Sequence, residues 1–306
     1  MNLELSMNQV SGDYFDTFNT ITAPASVELL QRAMDECIYY NKLLSKTVPG
    51  SDVWRINHNQ GKPVEVSDHT RRILEMALEM NRSSDGAFNI AVGPAVALWH
   101  FTDGTAVLPD RDQLKAAIAR ADCSRIVLDG NTVFVPDDVE IDLGGIAKGY
   151  ICDCIADYLR ANGVVSALLN FGGNVVTIGN RPDGKPWTIG LQRPSGERGK
   201  EFWAAVKSCD NTLVTSGIYE RSFTLNGVTY HHILDPRTGW PVQNHILTVT
   251  AITKSSLLAD AITTALFVLG PEKGLSLAEK YGVSAVYLRD DGKVFYDPKL
   301  DIVFVK

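Results

Sequence analysis

The chain has 306 residues, of which 45% are hydrophobic, so it is long enough to bury a sizeable core as one large domain or two packed lobes. Its 36 acidic and 29 basic residues give a net charge of −7 and form no basic run or aromatic–basic stripe, which argues against a nucleic-acid partner. No apolar run approaches the roughly 20 residues that a membrane-spanning helix needs.

The five cysteines are odd in number and include no Cys-x-x-Cys pair, so we expect free thiols in a reducing compartment. The first ten residues contain no basic segment, apolar segment, cleavage site or lipid-attachment site. These features predict a soluble, cytoplasmic chain, unless an export signal precedes this sequence.

The first third of the chain is predicted to contain one strand and two helices. Residues 15–21 alternate apolar and polar side chains and predict an opening strand. Ser26 and Ser67 each precede an amphipathic pattern and are expected to cap a helix. Residues 51–59 are predicted to form a polar loop. Residues 87–99, apolar but interrupted by a Gly-Pro pair, are predicted to form a buried loop or short strand.

The middle third is predicted to join a helix to a series of strands. Residues 111–121 predict a short helix, and residues 124–142 predict two short strands. From near Gly144, apolar residues at i, i+3, i+4 and i+7 spacing predict a helix that ends at Asn162-Gly163. Further strands are predicted at residues 164–170, 187–192, 202–208, 212–216 and 247–252.

The last third is predicted to contain one helix and short closing strands. Ser255 or Ser256 caps a helix that Gly270-Pro271 is expected to end, and residues 285–305 predict the strands. Residues 181–200, rich in Pro, Gly and charge, predict a long hairpin or loop. Because strands and helices are mixed without a regular βαβ rhythm, the predicted fold class is α+β.

Residues 231–239 bring two imidazoles, a carboxylate, a guanidinium and a hydroxyl together on a turn. Residues 223–225 and 228–230 are of β type and flank Asn226-Gly227, a hairpin signal. Histidine titrates near neutral pH and can accept a proton from a reacting hydroxyl. Strand alternation points His231 and His232 to opposite sides of the strand. The alternative is a surface turn with a satisfied histidine.

Residues 142–149 pass from a strand into a helix through a pair of glycines. Such a helix start allows backbone to approach a ligand closely and favours anions. Lys148 lies in the first turn, where its charge opposes the helix dipole, and an anionic ligand would offset that cost. The alternative is an ordinary helix N-terminus, because the segment matches neither established phosphate-loop pattern.

Two further groups of polar residues interrupt apolar segments. Asp260, Thr263 and Thr264 lie midway along an apolar helix, where hard oxygen ligands suit Mg²⁺. The alternative for them is a buried Asp–Thr hydrogen bond. The Gly172-Gly173 pair follows a buried strand and could admit a flat ring or a ribose, or form a tight turn.

A hydroxyl, an aromatic ring and a guanidinium lie together at Ser216, Tyr219 and Arg221. Arginine suits phosphate recognition. A surface ion pair of Arg221 with Glu220 would also explain this group.

Taken together and in order, these segments resemble the ApbE family of FAD:protein FMN transferases. The matching pieces are Gly86-Ala87-Phe88-Asn89 with Val92-Gly93-Pro94, residues 142–149, residues 170–174, residues 216–221, residues 232–239, and Ala259-Asp260-Ala261 with Thr263-Thr264. Each motif is weak alone, but the ordered set is specific and covers most of residues 15–270.

The resemblance implies one α+β domain over residues 1–306 with a T-fold-like core. It implies Mg²⁺-dependent transfer of the FMN moiety of FAD through a phosphoester onto a Ser or Thr of a target flavoprotein, with release of AMP. The acceptor is expected to carry an Asp-Gly-x-Ser/Thr-Gly-Ala-Ser/Thr segment. FAD hydrolysis to FMN and AMP, and FAD binding without catalysis, stay as alternatives.

The resemblance and the motifs together assign site residues by position. His232 is the expected base that activates the acceptor hydroxyl. The residues expected at the Mg²⁺ site are Gly145, through its main-chain carbonyl, Asp260, Thr263 and Thr264. The residues expected to contact the flavin nucleotide are Phe15, Ala87, Phe88, Asn89, Asp142, Lys148, Gly172, Gly173, Ser216, Tyr219, Arg221 and Leu234.

The chain departs from the family pattern at two of these positions. Phe15-Asp16-Thr17 stands where many relatives have Met-Gly-Thr, so an early ring contact is changed. Thr263 stands where some relatives carry a second acid, which is expected to weaken the metal site. Many relatives are also exported lipoproteins, whereas this sequence shows no export signal.

Overall fold

The computed structural model describes residues 7–101, 105, 107–197 and 199–305, so part of the N-terminal segment assessed above lies outside the described residues. The α-helices are α1 (Val27–Leu44), α2 (Asp52–Asn57), α3 (Asp68–Ser83), α4 (Gly93–Ala97), α5 (Arg111–Arg120), α6 (Ala147–Ala161) and α7 (Ser256–Lys280). Single 3₁₀ turns lie at Ile90–Val92 and Cys123–Arg125.

The strands are β1 (Asn8–Tyr14), β2 (Thr17–Ala23), β3 (Val64–Glu65), β4 (Val127–Asp129), β5 (Thr132–Phe134), β6 (Ala167–Phe171), β7 (Asn174–Ile178), β8 (Trp187–Gln192), β9 (Phe202–Ser208), β10 (Thr212–Gly217), β11 (Ser222–Leu225), β12 (Val228–His231), β13 (Ile246–Thr253), β14 (Ser284–Arg289), β15 (Val294–Tyr296) and β16 (Ile302–Phe304). This mixture of helices and sheets confirms the α+β class.

An eight-stranded antiparallel sheet in the order β1-β2-β6-β7-β10-β13-β14-β15 organises the fold. Alternate residues of its strands face opposite layers. Val214 and Ala251 belong to the main core with α6 and α7, whereas Leu213 and Ile252 pack against β8 and β9. The strands β16-β9-β8 form a smaller sheet of their own. The main sheet therefore lies between a helical layer and a second sheet.

The predicted helix caps at Ser26 and Ser67 are confirmed. The Ser26 hydroxyl accepts a hydrogen bond from the Leu29 amide, and the Ser67 hydroxyl accepts one from the Thr70 amide. The β11–β12 hairpin forms as predicted, with Asn226 and Gly227 both at positive φ. All five cysteines are unpaired, as expected.

Two local predictions were wrong. Within residues 51–59, predicted as a polar loop, Asp52–Asn57 form a helix, because the Ser51 hydroxyl caps it and Val53 and Ile56 bury one face. Residues 87–99 form a 3₁₀ turn and α4 instead of a loop or strand, with Pro94 at the start of α4, where a missing N–H costs little. Strands β1 and β3, and strand β7 on the far side of the Gly172-Gly173 turn, were not predicted.

The predicted end of the last helix is confirmed, but a second helical segment after it was missed. The chain leaves helical geometry at Gly270 (φ 74°, ψ 177°), and a further segment, included here in α7, then runs to Lys280 because proline fits a first helical turn. The predicted start of the opening strand was wrong. Phe15 and Asp16 do not begin a strand; they form the turn between β1 and β2, with φ of 58° and 56°. Among the described residues, no helix combines the length and apolar character required to cross a bilayer.

Candidate active site

One end of the eight-stranded sheet gathers three of the predicted segments. Asn19 of β2 pairs with Phe171 of β6, so the β1–β2 and β6–β7 turns are neighbours. Strand β10 pairs Val214 with Asn174 at the start of β7 and then runs on past that strand. Residues 15–17, 172–173 and 216–221 therefore lie side by side at this end, which we call the site end.

The Gly172-Gly173 segment is a tight turn, as one of the two interpretations predicted. Both glycines have positive φ, 59° and 95°, and the Gly173 amide donates to the Asn170 side chain at 3.0 Å. A Cβ at position 172 would overlap the Thr17 side chain. Only glycine at position 172 therefore allows this turn and the β1–β2 turn to pack together.

Helices α6 and α7 pack against each other and are joined by hydrogen bonds at two levels. The Gly149 amide of α6 donates to Asp260 Oδ2 of α7 at 2.8 Å. Nearer the start of α7, the Asp153 carboxylate accepts from the Ser256 and Leu257 amides at 2.8 and 3.0 Å. The helices are thus antiparallel, and Asp260 lies close to the N-terminus of α6 at the site end.

The oxygen atoms near Asp260 suit a hard divalent cation. The Asp260 side chain is buried, and no ion pair to it is found in the described part of the chain. An unpaired buried carboxylate is costly, and a bound cation would offset that cost. In an ideal helix the Gly149 amide would bond the Gly145 carbonyl; here it donates to Asp260. Thr264, one turn after Asp260, is half-buried on the same helical face.

Thr263 is oriented differently from Thr264. It is fully buried, and its hydroxyl donates to the Asp260 main-chain carbonyl at 3.0 Å. Across the described residues there is no group of three or more His, Cys, Asp or Glu side chains positioned to hold a metal. Among the described residues, a cation at Asp260 would therefore take most of its ligands from neutral oxygens, such as carbonyls, hydroxyls, water and substrate, which Mg²⁺ accepts.

His232 follows strand β12 and is held by the main chain of Arg221. Its amide donates to the Arg221 carbonyl at 3.1 Å, and its ring Nδ1 lies 3.2 Å from the same oxygen. Because a carbonyl only accepts, Nδ1 carries the proton and Nε2 carries the lone pair. Burial lowers the pKa of His232 to about 4, and the nearby charges of Arg221 and Lys148 act in the same direction. The imidazole is therefore neutral and ready to accept a proton at neutral pH.

His231 occupies a different environment from its neighbour. It is buried, its Nε2 lies 3.0 Å from the Val242 carbonyl, and its ring lies 5.8 Å from that of Phe267 in α7. Burial also lowers the pKa of His231. Its contacts are those of a packing residue.

The segments around residues 88 and 142 are in direct contact. The Asp142 amide donates to the Ile90 carbonyl at 2.7 Å, and a Cβ at Gly145 would lie 3.8 Å from the Phe88 ring. Ala87 and Phe88 are buried. The Asn89 side chain is used within the chain, accepting from the Ala91 amide and donating to the Ala121 carbonyl, both at 2.8 Å.

The remaining predicted residues lie around these segments. Asp142 accepts from the Gly144 amide and pairs with Lys46, both at 2.8 Å. Leu234 is buried in a cluster with Trp99 and Leu114. The Tyr219 ring lies over Gly217, because a Cβ there would be 2.7 Å from it. Ser216 is half-buried near the end of β10, and Arg221 is exposed.

Sequence reasoning missed residues that act through contacts distant in the chain. Lys46 comes directly after α1 and reaches Asp142, and Asn19 supports the β1–β2 turn. Gly149 and Asp153 join the two helices. Of these residues, only Asp153 could have been noticed in the sequence, because it is a carboxylate next to the apolar positions of its helix. Nothing in the sequence around Lys46 or Asn19 indicated their contacts.

The sequence and the structure of this chain are similar to those of known proteins. The ApbE family profile matches residues 15–287. An FAD:protein FMN transferase of Klebsiella pneumoniae (strain 342) is 39% identical over 254 residues, which are 81% of this chain and 78% of that protein. An ApbE protein from Thermotoga maritima superposes with a TM-score of 0.86 at 28% identity, covering 96% of this chain and 97% of the other. The Vibrio cholerae flavin transferase ApbE gives a TM-score of 0.83 at 30% identity, covering 96% and 98%.

Proposed function

The chain belongs to the ApbE family, and we propose that it transfers the FMN moiety of FAD to a serine or threonine hydroxyl of a target flavoprotein, with release of AMP. The state of His232 carries this proposal. A neutral imidazole with its Nε2 lone pair available lies at the site end beside two cationic side chains, Arg221 and Lys148. This arrangement suits proton removal from an alcohol next to a phosphate group.

The proposed step replaces the phosphoanhydride bond of FAD with a phosphoester bond to the acceptor. The acceptor oxygen bonds to the phosphorus of the FMN half, and the bond from that phosphorus to the bridging oxygen of AMP breaks. The hydroxyl proton passes to Nε2 of His232, and AMP leaves with the bridging oxygen. An aligned base of this kind contributes about 10²–10⁴-fold in rate.

We propose that Mg²⁺ is held by the Gly145 carbonyl, Asp260 and Thr264. The ion, when bound, supplies neutralisation of charge on the pyrophosphate oxygens. The buried and otherwise unpaired Asp260 carboxylate supports this assignment. Thr263 has its hydroxyl engaged with the main chain, so we assign it a supporting role next to the ligands.

The nucleotide is proposed to lie along the site end. Phe88 and Leu234 are buried, so we propose that they support the nucleotide site from below its surface, and that Lys148 and Arg221 provide positive charge near the phosphates. The other residues expected to contact FAD are Phe15, Ala87, Asn89, Asp142, Gly172, Gly173, Ser216 and Tyr219. For Asn89, whose side-chain amide is used internally, the main chain is the group that remains for such a contact.

The acceptor and the location stay predictions. We propose a flavoprotein with an Asp-Gly-x-Ser/Thr-Gly-Ala-Ser/Thr segment as the acceptor. The unpaired cysteines support the expected reducing, cytoplasmic compartment. A single domain over residues 1–306 is likewise part of the proposal.

The direct test incubates the protein with FAD, Mg²⁺ and an acceptor protein that carries this segment. AMP is quantified by chromatography, and covalent flavin is detected as fluorescence of the denatured acceptor band. We expect His232→Ala to lower the rate about 10²–10⁴-fold. His245→Ala is the matched control, because His245 is an exposed histidine that pairs with Asp290.

Each alternative gives a different result. AMP and unbound FMN without labelled acceptor, for several such acceptors, would indicate FAD hydrolysis. Tight FAD binding without AMP, unaffected by His232→Ala, would indicate a binding protein. Equal rates for His232→Ala and His245→Ala would remove His232 from the proposed mechanism.

A further inference from the structure

The β1–β2 turn is built from two residues that rarely adopt its conformation. Phe15 and Asp16 both lie in the left-handed region, with φ of 58° and 56°, and neither is glycine. Positive φ at both central residues is the geometry of a two-residue type I′ hairpin, which usually contains Asn or Gly, so a large aromatic residue at the first of these positions is an outlier. The turn lies at the site end, where Thr17 contacts Gly172.

Asn19 holds this turn from beneath. Its Nδ2 lies 3.2, 3.0 and 2.9 Å from the carbonyl oxygens of Gly12, Tyr14 and Thr17. Because all three oxygens only accept, the nitrogen side of the amide must face them. The two N–H groups thus bind carbonyls from both strands, on either side of Phe15 and Asp16.

Holding the turn leaves Asn19 incompletely satisfied. The residue is fully buried, and its Oδ1 has no hydrogen-bond partner among the residues that the structure describes. Buried acceptors are rarely left unpaired, because their lost hydration is not replaced. A strained turn and an unpaired amide oxygen at one place indicate that the turn conformation itself is required.

We infer that Asn19 is a positioning residue that fixes the β1–β2 turn so that the Phe15 ring is presented to the flavin nucleotide before the nucleotide binds. The inference rests on the proposed function, because the flavin contact of Phe15 belongs to that proposal. Phe15 is half-buried against the core edge, and its ring centroid lies 6.2 Å from that of Tyr14. A ring fixed in advance costs little ordering when the ligand arrives.

The test is a double-mutant cycle on FAD affinity, read from the change in flavin fluorescence on binding. An aromatic contact of this kind corresponds to about three- to tenfold in affinity. We expect Asn19→Leu and Phe15→Leu each to raise the Kd and KM for FAD by that factor, while kcat at saturating FAD stays within about twofold. Because Asn19 acts through Phe15, the double variant should bind FAD no more weakly than Phe15→Leu alone.

Thr177→Val provides the matched control for lost stability. Thr177 is fully buried near the opposite end of the same sheet, where its hydroxyl contacts Ser208 and the Asn211 carbonyl at 2.8 and 3.0 Å. It should lower the urea midpoint without changing the Kd for FAD. If Asn19→Leu does not fold, Asn19→Ser, which keeps one donor, should show a smaller affinity loss of the same kind.

Three results would overturn the inference. These are an unchanged FAD affinity in folded Asn19 variants, strictly multiplicative losses in the double variant, or an equal affinity loss in Thr177→Val. The proposed transfer fails separately, if the wild-type protein binds FAD but labels no acceptor. In that case the double-mutant cycle on FAD affinity still tests the role of Asn19.

Discussion

The helix pair α6–α7 and the segment from Arg221 to His232 both face the site end, but they are held there by different means. Asp260 is buried between packed helices, and a hydrogen bond from Gly149 fixes its carboxylate. His232 is held by one main-chain oxygen, that of the exposed Arg221. Asp260, the charged one of the proposed metal ligands, therefore belongs to the core, whereas the proposed base stands at its edge.

This difference predicts how each half responds to substitution. A change of side-chain volume in the helix pair alters packing and chemistry together, because the same contacts serve both, whereas a change of charge alone leaves the packing in place. A change at His232 removes a proton acceptor outside the packed helix pair. Activity and stability should therefore be coupled for volume changes in the first half and separable in the second.

Asp260→Asn tests whether charge or packing matters at the helix pair. The amide oxygen can still accept from Gly149, so the free energy of unfolding should change by no more than about 1 kcal/mol. The rate of AMP release should fall by roughly 10³-fold or more, because the loss of a metal ion's charge stabilisation amounts to several kcal/mol. A rate within tenfold of wild type would refute the metal assignment.

Gly149→Ala tests the same helix pair by adding side-chain volume instead of removing charge. A Cβ there would overlap the Ser256 main-chain carbonyl and lie 2.6 Å from Asp260 Cβ, so the helices must separate. We expect the free energy of unfolding to fall by about 1–3 kcal/mol, with weaker Mg²⁺ activation of AMP release.

Gly145→Ala is the matched control for that change. Its Cβ would meet only the Phe88 ring at 3.8 Å, an ordinary contact, and the proposed ligand is the main-chain carbonyl. Stability and Mg²⁺ dependence should both stay close to wild type. Equal losses of stability and of Mg²⁺ activation in Gly149→Ala and Gly145→Ala would show that the close contact between the two helices is not the cause.

The pH dependence of kcat/KM tests the proposed state of His232. With a pKa of about 4, His232 stays neutral across the neutral range, so kcat/KM should change less than about twofold between pH 5.5 and 7.5. A histidine of ordinary pKa would give a roughly tenfold fall toward pH 5.5. Because the folded-state pKa lies below the unfolded value, the contribution of His232 to stability is complete above about pH 6.5 and is lost as pH falls toward 4. A midpoint near 6.5 for kcat/KM would contradict the neutral-base assignment.

Much of the fold could be predicted because local signals agreed with it. The serine caps at positions 26 and 67 and the Asn226-Gly227 hairpin each depend on neighbouring residues alone. The Gly270-Pro271 pair correctly indicated the end of one helical segment, but the second segment beyond it was not predicted, since proline both follows one helix and begins another.

The sequence indicated which motifs belong to the site, but not the long-range contacts that hold them together. Residue order and type indicated Asp260 and His232, but no periodicity connects Asn19 to a turn carbonyl or Lys46 to Asp142. Those contacts arise where strands and loops distant in sequence meet. The positive φ of Phe15 had no signal either, because aromatic residues normally avoid that conformation.

The Asp153 cap has a consequence for the order of folding. The first amides of α7 find their acceptors on a carboxylate more than one hundred residues earlier, so local sequence alone does not complete that helix start. Helix α7 gains its full N-terminus only after α6 is in place, and the two should protect their amides from hydrogen exchange as one cooperative unit. The proposed metal ligands would then be assembled by a late, long-range event of folding.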